Sequence, residues 1–506
     1  MKNSVNGLNA RQLAMMALGT VVGGSFFLGS AAAIHAAGPA VIVSYVLGGT
    51  IVFVILYALS ELTVADPAPG SFRTYAEREF GRGAGFVVGW VYWTGLILAM
   101  SSEAMAVAIF MHPWFPGLSL GLIGSAVIIA VTLLNLLGAE RLSKLESGLA
   151  AVKLLAIAGF IVLGLLLISG LINANQTGTG ELLAEPLFPG GIGGIAGSML
   201  IVMFAYAGFE TIGLAASEAR DPHKTIPRAI TYTVISLVGL YVISIGVLLA
   251  LIPTASLTTE TSPFVAALNR QNLAWAGNAI NIVLVTAILS TMLAAMFGLG
   301  RMIRSLAEEN HAPSWLKDAG DIPKRGILFS GVSMLLGLGL GSLLPQQVYL
   351  FLVSSGGFAL LTTYAVIVAT HYQFRKRNGC PPNGNCQLPL YPFSSWFGLT
   401  GLLFALASMP LIPGQGSGLA AGLALIVLYS AIFVIKERFS TKKNSKGTVD
   451  QGAGGKFLRT RSLEPQVEIS EELAKCPDSK KKEDHSSSSA GHHPQRAQRD
   501  KEDTEG

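Results

Sequence analysis

Three ionisable residues lie inside apolar stretches where a charge is expensive. Glu103 sits in Ser101-Ser-Glu-Ala-Met105, Lys153 closes Glu146-Ser-Gly-Leu-Ala-Ala-Val-Lys153, and Glu210 ends Phe204-Ala-Tyr-Ala-Gly-Phe-Glu210. Inside a membrane such groups mark ion or substrate pathways by default. Burial moves their pKa values, so proton uptake and release is the chemistry they offer. Each also has a plainer reading. Lys153 can snorkel to the interface, Glu103 can pair with another buried group, and Glu210 can hold a local hydrogen-bond network.

A second constellation is made of backbone. In Gly19-Thr-Val-Val-Gly-Gly-Ser-Phe-Phe-Leu-Gly29 the centre, Val22-Gly23-Gly24-Ser25, is a poor helix inside a membrane-length apolar run. Each Gly costs roughly 1 kcal/mol against Ala in a helix interior. Non-helical backbone at membrane depth is tolerated only where protein buries it or it lines a cavity. Glycines that merely admit a neighbouring helix are the alternative. The stretch Phe204, Tyr206, Ala207, Gly208, Phe209 repeats the pattern beside the carboxylate of Glu210. A broken helix offers free N–H groups at one new end and free carbonyls at the other. Together these suit the carboxylate and ammonium of a zwitterion, with Phe204, Tyr206 and Phe209 available to wall a side-chain pocket.

The elements that must position these groups are transmembrane helices. Of 506 residues, 51% are hydrophobic and 13% charged, which excludes an ordinary soluble protein. No Asp, Glu, Lys or Arg occurs between Arg11 and Glu61, enough for two spans of about 20 residues joined at Gly38-Pro39. Continuing along the chain, the hydropathy pattern predicts twelve spans, at about 12–34, 38–62, 83–111, 117–139, 145–171, 192–217, 229–253, 276–305, 325–344, 346–371, 395–412 and 416–436. Arg11, Arg73, Arg82, Arg141, Arg220, Arg228, Arg301, Arg325 and Arg375 fall in connections on one side, and only Arg270 on the other. Both termini are therefore expected in the cytoplasm, at the cell membrane. No cleavable signal pattern precedes the first span.

The expected organisation is a cytoplasmic N-terminus (1–11), a transmembrane permease domain (12–438) and a disordered cytoplasmic tail (439–506), too polar to bury a core. That tail reads as solvated, since its acids nearly balance its bases; contact with anionic membrane lipid is the alternative. Between the second and third spans, Ser71 is placed to cap a short helix running through Glu79. That loop, and Glu61 before it, read as gating or packing features, and His35 as interfacial. Cys380, Cys386 and Cys476 fall on the reducing side, where a structural disulfide is not expected.

Five spans separate the two interrupted ones, so they cross the bilayer in opposite directions. An inverted five-plus-five repeat requires this, with the broken helices meeting at the substrate site. The fold class expected is thus an all-α polytopic membrane protein with its first and sixth helices broken. The chain resembles amino acid permeases of the amino acid–polyamine–organocation (APC) superfamily, best the bacterial proton-coupled branch. The resemblance is carried by Gly19–Gly29, by Ala37-Gly-Pro39, by Pro69-Gly-Ser-Phe72, Tyr75-Ala76 and Gly89-Trp-Val-Tyr-Trp93. It continues in Glu218-Ala-Arg-Asp-Pro-His-Lys-Thr-Ile-Pro-Arg-Ala-Ile230 and in Ser290 through Ala312-Pro313. It spans roughly residues 8–435 and implies a LeuT-like fold. Ser25 departs from it, standing where the family motif has its third glycine, after Gly24.

The resemblance implies a secondary transporter importing an amino acid with a proton by alternating access. Val22, Gly23, Gly24, Ser25, Phe204, Tyr206, Ala207, Gly208 and Phe209 would bind substrate. Lys153, Glu210 and Glu103 would serve proton coupling, Lys153 standing where sodium-coupled relatives hold a cation. The apolar, aromatic pocket suggests a neutral or hydrophobic amino acid. An uncoupled facilitator or exchanger and an amino acid sensor are the alternatives. No nucleophile–base set, metal-ligand spacing or phosphate loop appears, so neither an enzyme, a cofactor, a metal nor a nucleic-acid partner is expected.

Overall fold

The computed structural model describes residues 9–65, 71–172, 185–210, 212, 220–258, 261–318, 320, 322–343, 348–380 and 388–447. Loop residues 66–70, Glu218 and Ala219 of the signature, Cys386, Cys476 and the tail from 448 lie outside them. No strand occurs among the described residues.

The chain opens with α1 (Ala10–Val21), started by a capping box in which Asn9 Oδ1 accepts from the Gln12 amide at 3.0 Å and Gln12 Oε1 accepts from the Asn9 amide at 2.9 Å. It stops at Val21. Val22 and Gly23 are extended, and helix resumes as α2 (Gly24–Phe27). Leu28, itself in the helical region, leads directly into α3 (Gly29–Ala37), so 24–37 is nearly one helical run. Gly38 then turns the chain at φ 61° into α4 (Val41–Ala65).

A short amphipathic helix, α5 (Phe72–Phe80), precedes α6 (Arg82–Met111), α7 (Leu120–Asn135) and α8 (Ala139–Ile168). After these come α9 (Gly191–Ala205), α10 (Pro222–Leu251), the short α11 (Pro263–Arg270) and α12 (Ala274–Glu308). The chain closes with α13 (Lys324–Leu343), α14 (Val348–Asn378), α15 (Phe393–Ala407) and α16 (Gln415–Gly447). Eight helical stretches among the described residues are long and apolar enough to cross a membrane, and α7 and α9 are shorter apolar helices. This is an all-helical, multi-pass membrane protein. The helical unit Met1–Thr441 is one compact body, and Lys442–Gly506 a second, of which only the end of α16 is described.

Close approach of helices depends on small residues, as expected where lipid removes the hydrophobic drive for helix association. A Cβ on Gly95 of α6 would lie 2.5 Å from that of Ala359 on α14, and one on Gly356 of α14 only 3.0 Å from the Gly95 carbonyl. These contacts fix α6, which carries Glu103, against the bundle.

Two local expectations fail. Ser71 does occupy the N-cap of α5, but at φ 48° its hydroxyl makes no capping bond and is buried without a partner. The left-handed backbone turns the side chain away from the first-turn amides. Cys380 is disulfide-bonded, and its partner lies outside the described residues. The expectation there rested on compartment alone, whereas pairing depends on which chain segments meet.

Candidate functional site

The break between α1 and α2 leaves the Gly24 and Ser25 amides without helical partners. Glu103 supplies them. Its Oε2 accepts from the Gly24 amide at 2.7 Å and its Oε1 from the Ser25 amide at 3.0 Å. The Ser25 hydroxyl hydrogen-bonds the same carboxylate. Charge-assisted bonds to amides at a helix start are among the stronger a protein makes. Space there is minimal: a Cβ on Gly24 would meet Glu103 Oε2 at 2.7 Å, Ile288 Cδ1 at 3.0 Å and Ala106 Cβ at 3.2 Å. Glycine is required by packing, not by φ.

The carbonyl end of the break is held by Lys153. Its Nζ donates to the Val22 carbonyl at 3.0 Å, to Thr291 Oγ1 at 3.2 Å and to the Ala287 carbonyl at 3.5 Å. Thr291 Oγ1 also lies 3.2 Å from the Val22 carbonyl. Lys153 is 0% exposed, so it does not snorkel. An ammonium and a carboxylate, from α8 and α6, thus cap the two ends of one interruption.

The second interruption follows α9. Tyr206 to Glu210 form turns, and Gly208 takes φ 104°, where an L side chain would be strained. Glu210 closes this turn on itself, Oε2 accepting from the Gly208 amide at 3.0 Å and from the Tyr364 hydroxyl at 3.1 Å. Its Oε1 accepts from the Tyr92 hydroxyl at 2.9 Å. The interruptions meet. Thr20 Oγ1 reaches the Gly208 carbonyl at 3.2 Å, and a Cβ on Gly208 would lie 3.0 Å from the Thr20 carbonyl.

The predicted aromatic wall divides. Tyr206, which donates to the Tyr45 carbonyl at 3.0 Å, joins Tyr45 and Tyr241 in one ring cluster. Phe26, directly after Ser25, stacks on Tyr241 at 3.9 Å between ring centroids. Phe209 instead packs on Tyr364 at 4.8 Å, beside Glu210. Phe204 and the partly buried Ala207 adjoin the core of the bundle. Short α11 covers the far side of α2: Ser262 Oγ donates to the Phe27 carbonyl at 3.1 Å, and Phe264 packs on Phe26, Phe27 and Phe160. His35 is exposed.

Sequence reasoning missed Thr20 and Thr291, common residues whose importance comes only from tertiary contact with the breaks. It also missed two buried charge clusters. Arg73, on α5 and 0% exposed, contacts Glu309 at 2.5 Å, Glu77 at 3.2 Å and His311 Nδ1 at 3.3 Å. The side-chain ligand atoms of Glu77, Glu309 and His311 lie within 4.8 Å of one another, but the guanidinium fills the space that a metal ion would need. Burial, then the charge of Arg73, pushes His311 down to about 4. Burial, then Glu309, raises the Glu77 carboxyl. In the second cluster Glu61 accepts from His371 Nε2 at 2.7 Å and the Leu388 amide at 2.6 Å, with Arg375 at 3.5 Å.

Residues 12–446 match the family model described as amino acid permease. A probable GABA permease of Pseudomonas aeruginosa is 34% identical over 417 residues, 80% of this chain and 87% of that protein. The aromatic amino acid transport protein AroP of Escherichia coli K12 is 31% identical over 439 residues, 85% and 95% of the two chains. Among solved structures, a manganese transporter of Eremococcus coleocola superimposes with a TM-score of 0.53 at 14% identity, covering 84% of this chain and 94% of that one. At that identity the likeness speaks for the transporter fold alone.

Proposed function

This chain belongs to the amino acid permease family, and we propose that it imports a neutral or hydrophobic amino acid together with a proton, by alternating access around the two meeting interruptions. The observation that carries the proposal is the pair at the first break. Glu103 holds the amides of Gly24 and Ser25, and Lys153 holds the carbonyl of Val22. An α-amino acid bears the same two groups. Here the protein's own carboxylate and ammonium do what the substrate's would, so the break has no bare helix ends.

Loading then follows from charge. A proton taken by Glu103 weakens its hold on the Gly24 and Ser25 amides, because a neutral acid is a poorer acceptor there. The substrate carboxylate takes those amides in its place. Proton and substrate thus enter together. Lys153 holds the carbonyl end, and releasing its proton to water on the inward side weakens its bond to the Val22 carbonyl, because a neutral amine is a poorer donor than an ammonium. Because Glu103 and Lys153 can satisfy the break by themselves, return of the carrier does not require substrate, which favours net symport over obligatory exchange.

The ring cluster of Phe26, Tyr45, Tyr206 and Tyr241 beside this break supports an apolar side-chain pocket. A relative named for aromatic amino acids points to an apolar side chain as well. Glu210, with three donors already engaged, holds the second break in shape. Arginine placement supports cytoplasmic termini, and the division of the chain into Met1–Thr441 and Lys442–Gly506 supports a permease domain over 12–438 with a separate tail. Substrate binding by the purified protein, titrated against pH, tests the reading: affinity should fall as pH rises, and a flat profile would contradict it.

A further inference from the structure

We propose that the groove between α14, α15 and the end of α5 binds an anionic phospholipid drawn from the surrounding bilayer. Phe80 of α5, Val368 and Tyr372 of α14, and Trp396 and Leu399 of α15 line it. Its volume is about 180 Å3 and its walls are apolar. That is less than the roughly 300–1,000 Å3 of a site that encloses a small molecule. A groove of this kind takes a length of acyl chain.

Val368 and Tyr372 are one helical turn apart, so the groove runs along α14 toward its last turn, Arg375, Lys376 and Arg377. The guanidinium of Arg375 is committed to Glu61 and to the face of the Tyr391 ring, 4.2 Å from its centroid. Arg377, 55% exposed, pairs with Glu79 at 3.2 Å, and Lys376 is exposed. Three bases therefore stand against two carboxylates at the mouth of an apolar groove. Basic pockets between spans at the membrane surface take anionic headgroups.

The rest of the rim suits that depth. Tyr372 and Trp396 make an edge-on ring pair at 5.6 Å, and both are ring types that settle at the headgroup level. Ser395, whose buried hydroxyl has no hydrogen-bond partner, also lines the groove near the start of α15. Phe80 ends the helix that bears Arg73, so a seated lipid touches the element that Arg73 ties to the end of α12.

The test is native mass spectrometry of the purified full chain, equilibrated with equal amounts of phosphatidylglycerol and phosphatidylcholine of matched acyl chains. The wild type should retain phosphatidylglycerol over phosphatidylcholine by about fivefold or more. Ala369→Trp, which fills the groove, should lose the adduct, and the double variant K376Q/R377Q should keep an adduct but bring the preference to parity. Should Ala369→Trp fail to fold, Trp396→Ala removes a wall and carries the same expectation. Equal retention of the two lipids by the wild type, or undiminished phosphatidylglycerol on a folded groove variant, would overturn the proposal.

Discussion

Glu103 Oε2 lies 2.7 Å from the Gly24 amide nitrogen, so a carboxylate from α6 closes the start of a helix that belongs to another segment. Glu103→Gln is nearly isosteric, mimics the neutral acid, and loses one or two charge-assisted bonds of about 1.5–3 kcal/mol each. Substrate affinity of this variant should become insensitive to pH between 5.5 and 8, where the wild type weakens as pH rises. Isothermal titration at several pH values measures both slopes, and parallel slopes would remove Glu103 from the coupling.

Lys153 anchors the opposite end of the same break through the Val22 carbonyl. Lys153→Ala should abolish accumulation of amino acid under an inward proton gradient while leaving counterflow within a few-fold of wild type. Concentrative uptake by this variant in proteoliposomes would show that the lysine is not part of the coupling.

The two glycines at the breaks should fail differently. Gly24→Ala forces a Cβ against Glu103 Oε2 and Ile288, so it should fold yet bind substrate at least tenfold more weakly, a loss of about 1.4 kcal/mol. Gly208→Ala places a side chain at φ 104° and against the Thr20 carbonyl, so it should cost about 1–3 kcal/mol of stability. Thermal unfolding in detergent separates them. Ser25→Gly removes the Cβ and with it the hydroxyl that bonds Glu103, and should alter affinity or its pH dependence with the fold intact.

Much of this was legible in the sequence, and the reasons are physical. Gly23-Gly24 and Gly208 announce themselves because glycine inside a helix is unfavourable, and Lys153, Glu103 and Glu210 because charge at membrane depth is. What a local pattern does not carry is which donor meets which acceptor. Nothing around Glu103 says that its carboxylate faces Gly24, 79 positions away. Arg73 read as one more basic residue in a loop, yet it is fully buried between Glu77 and Glu309. Phe209 lies three positions from Tyr206 in sequence, yet the turn at Gly208 sends the two rings to different partners.

That Arg73 cluster predicts a pH dependence of stability. His311 lies at about 4 in the folded protein, below its ordinary 6.5, so the unfolded chain binds more protons between those values. Its contribution is full above about 6.5 and is lost as pH falls toward 4. The melting temperature should drop from pH 7 to pH 5, and His311→Asn should flatten that step. The raised Glu77 carboxyl acts with opposite sign, so the difference between wild type and His311→Asn isolates the histidine. Arg73→Ala should cost about 3 kcal/mol, the low end for breaking a buried ion pair, because Glu309 keeps access to water.

Proton and amino acid are proposed to move together through a break that Glu103 and Lys153 can satisfy by themselves. Uptake of labelled phenylalanine and of GABA into proteoliposomes of the purified full chain, without internal amino acid, tests it most directly. With the interior at pH 7.5 and the exterior at pH 5.5, at least one substrate should rise above its external concentration, and a protonophore should collapse it. Uptake that stops at equal concentrations with or without the gradient, or that needs amino acid preloaded inside, would contradict the account.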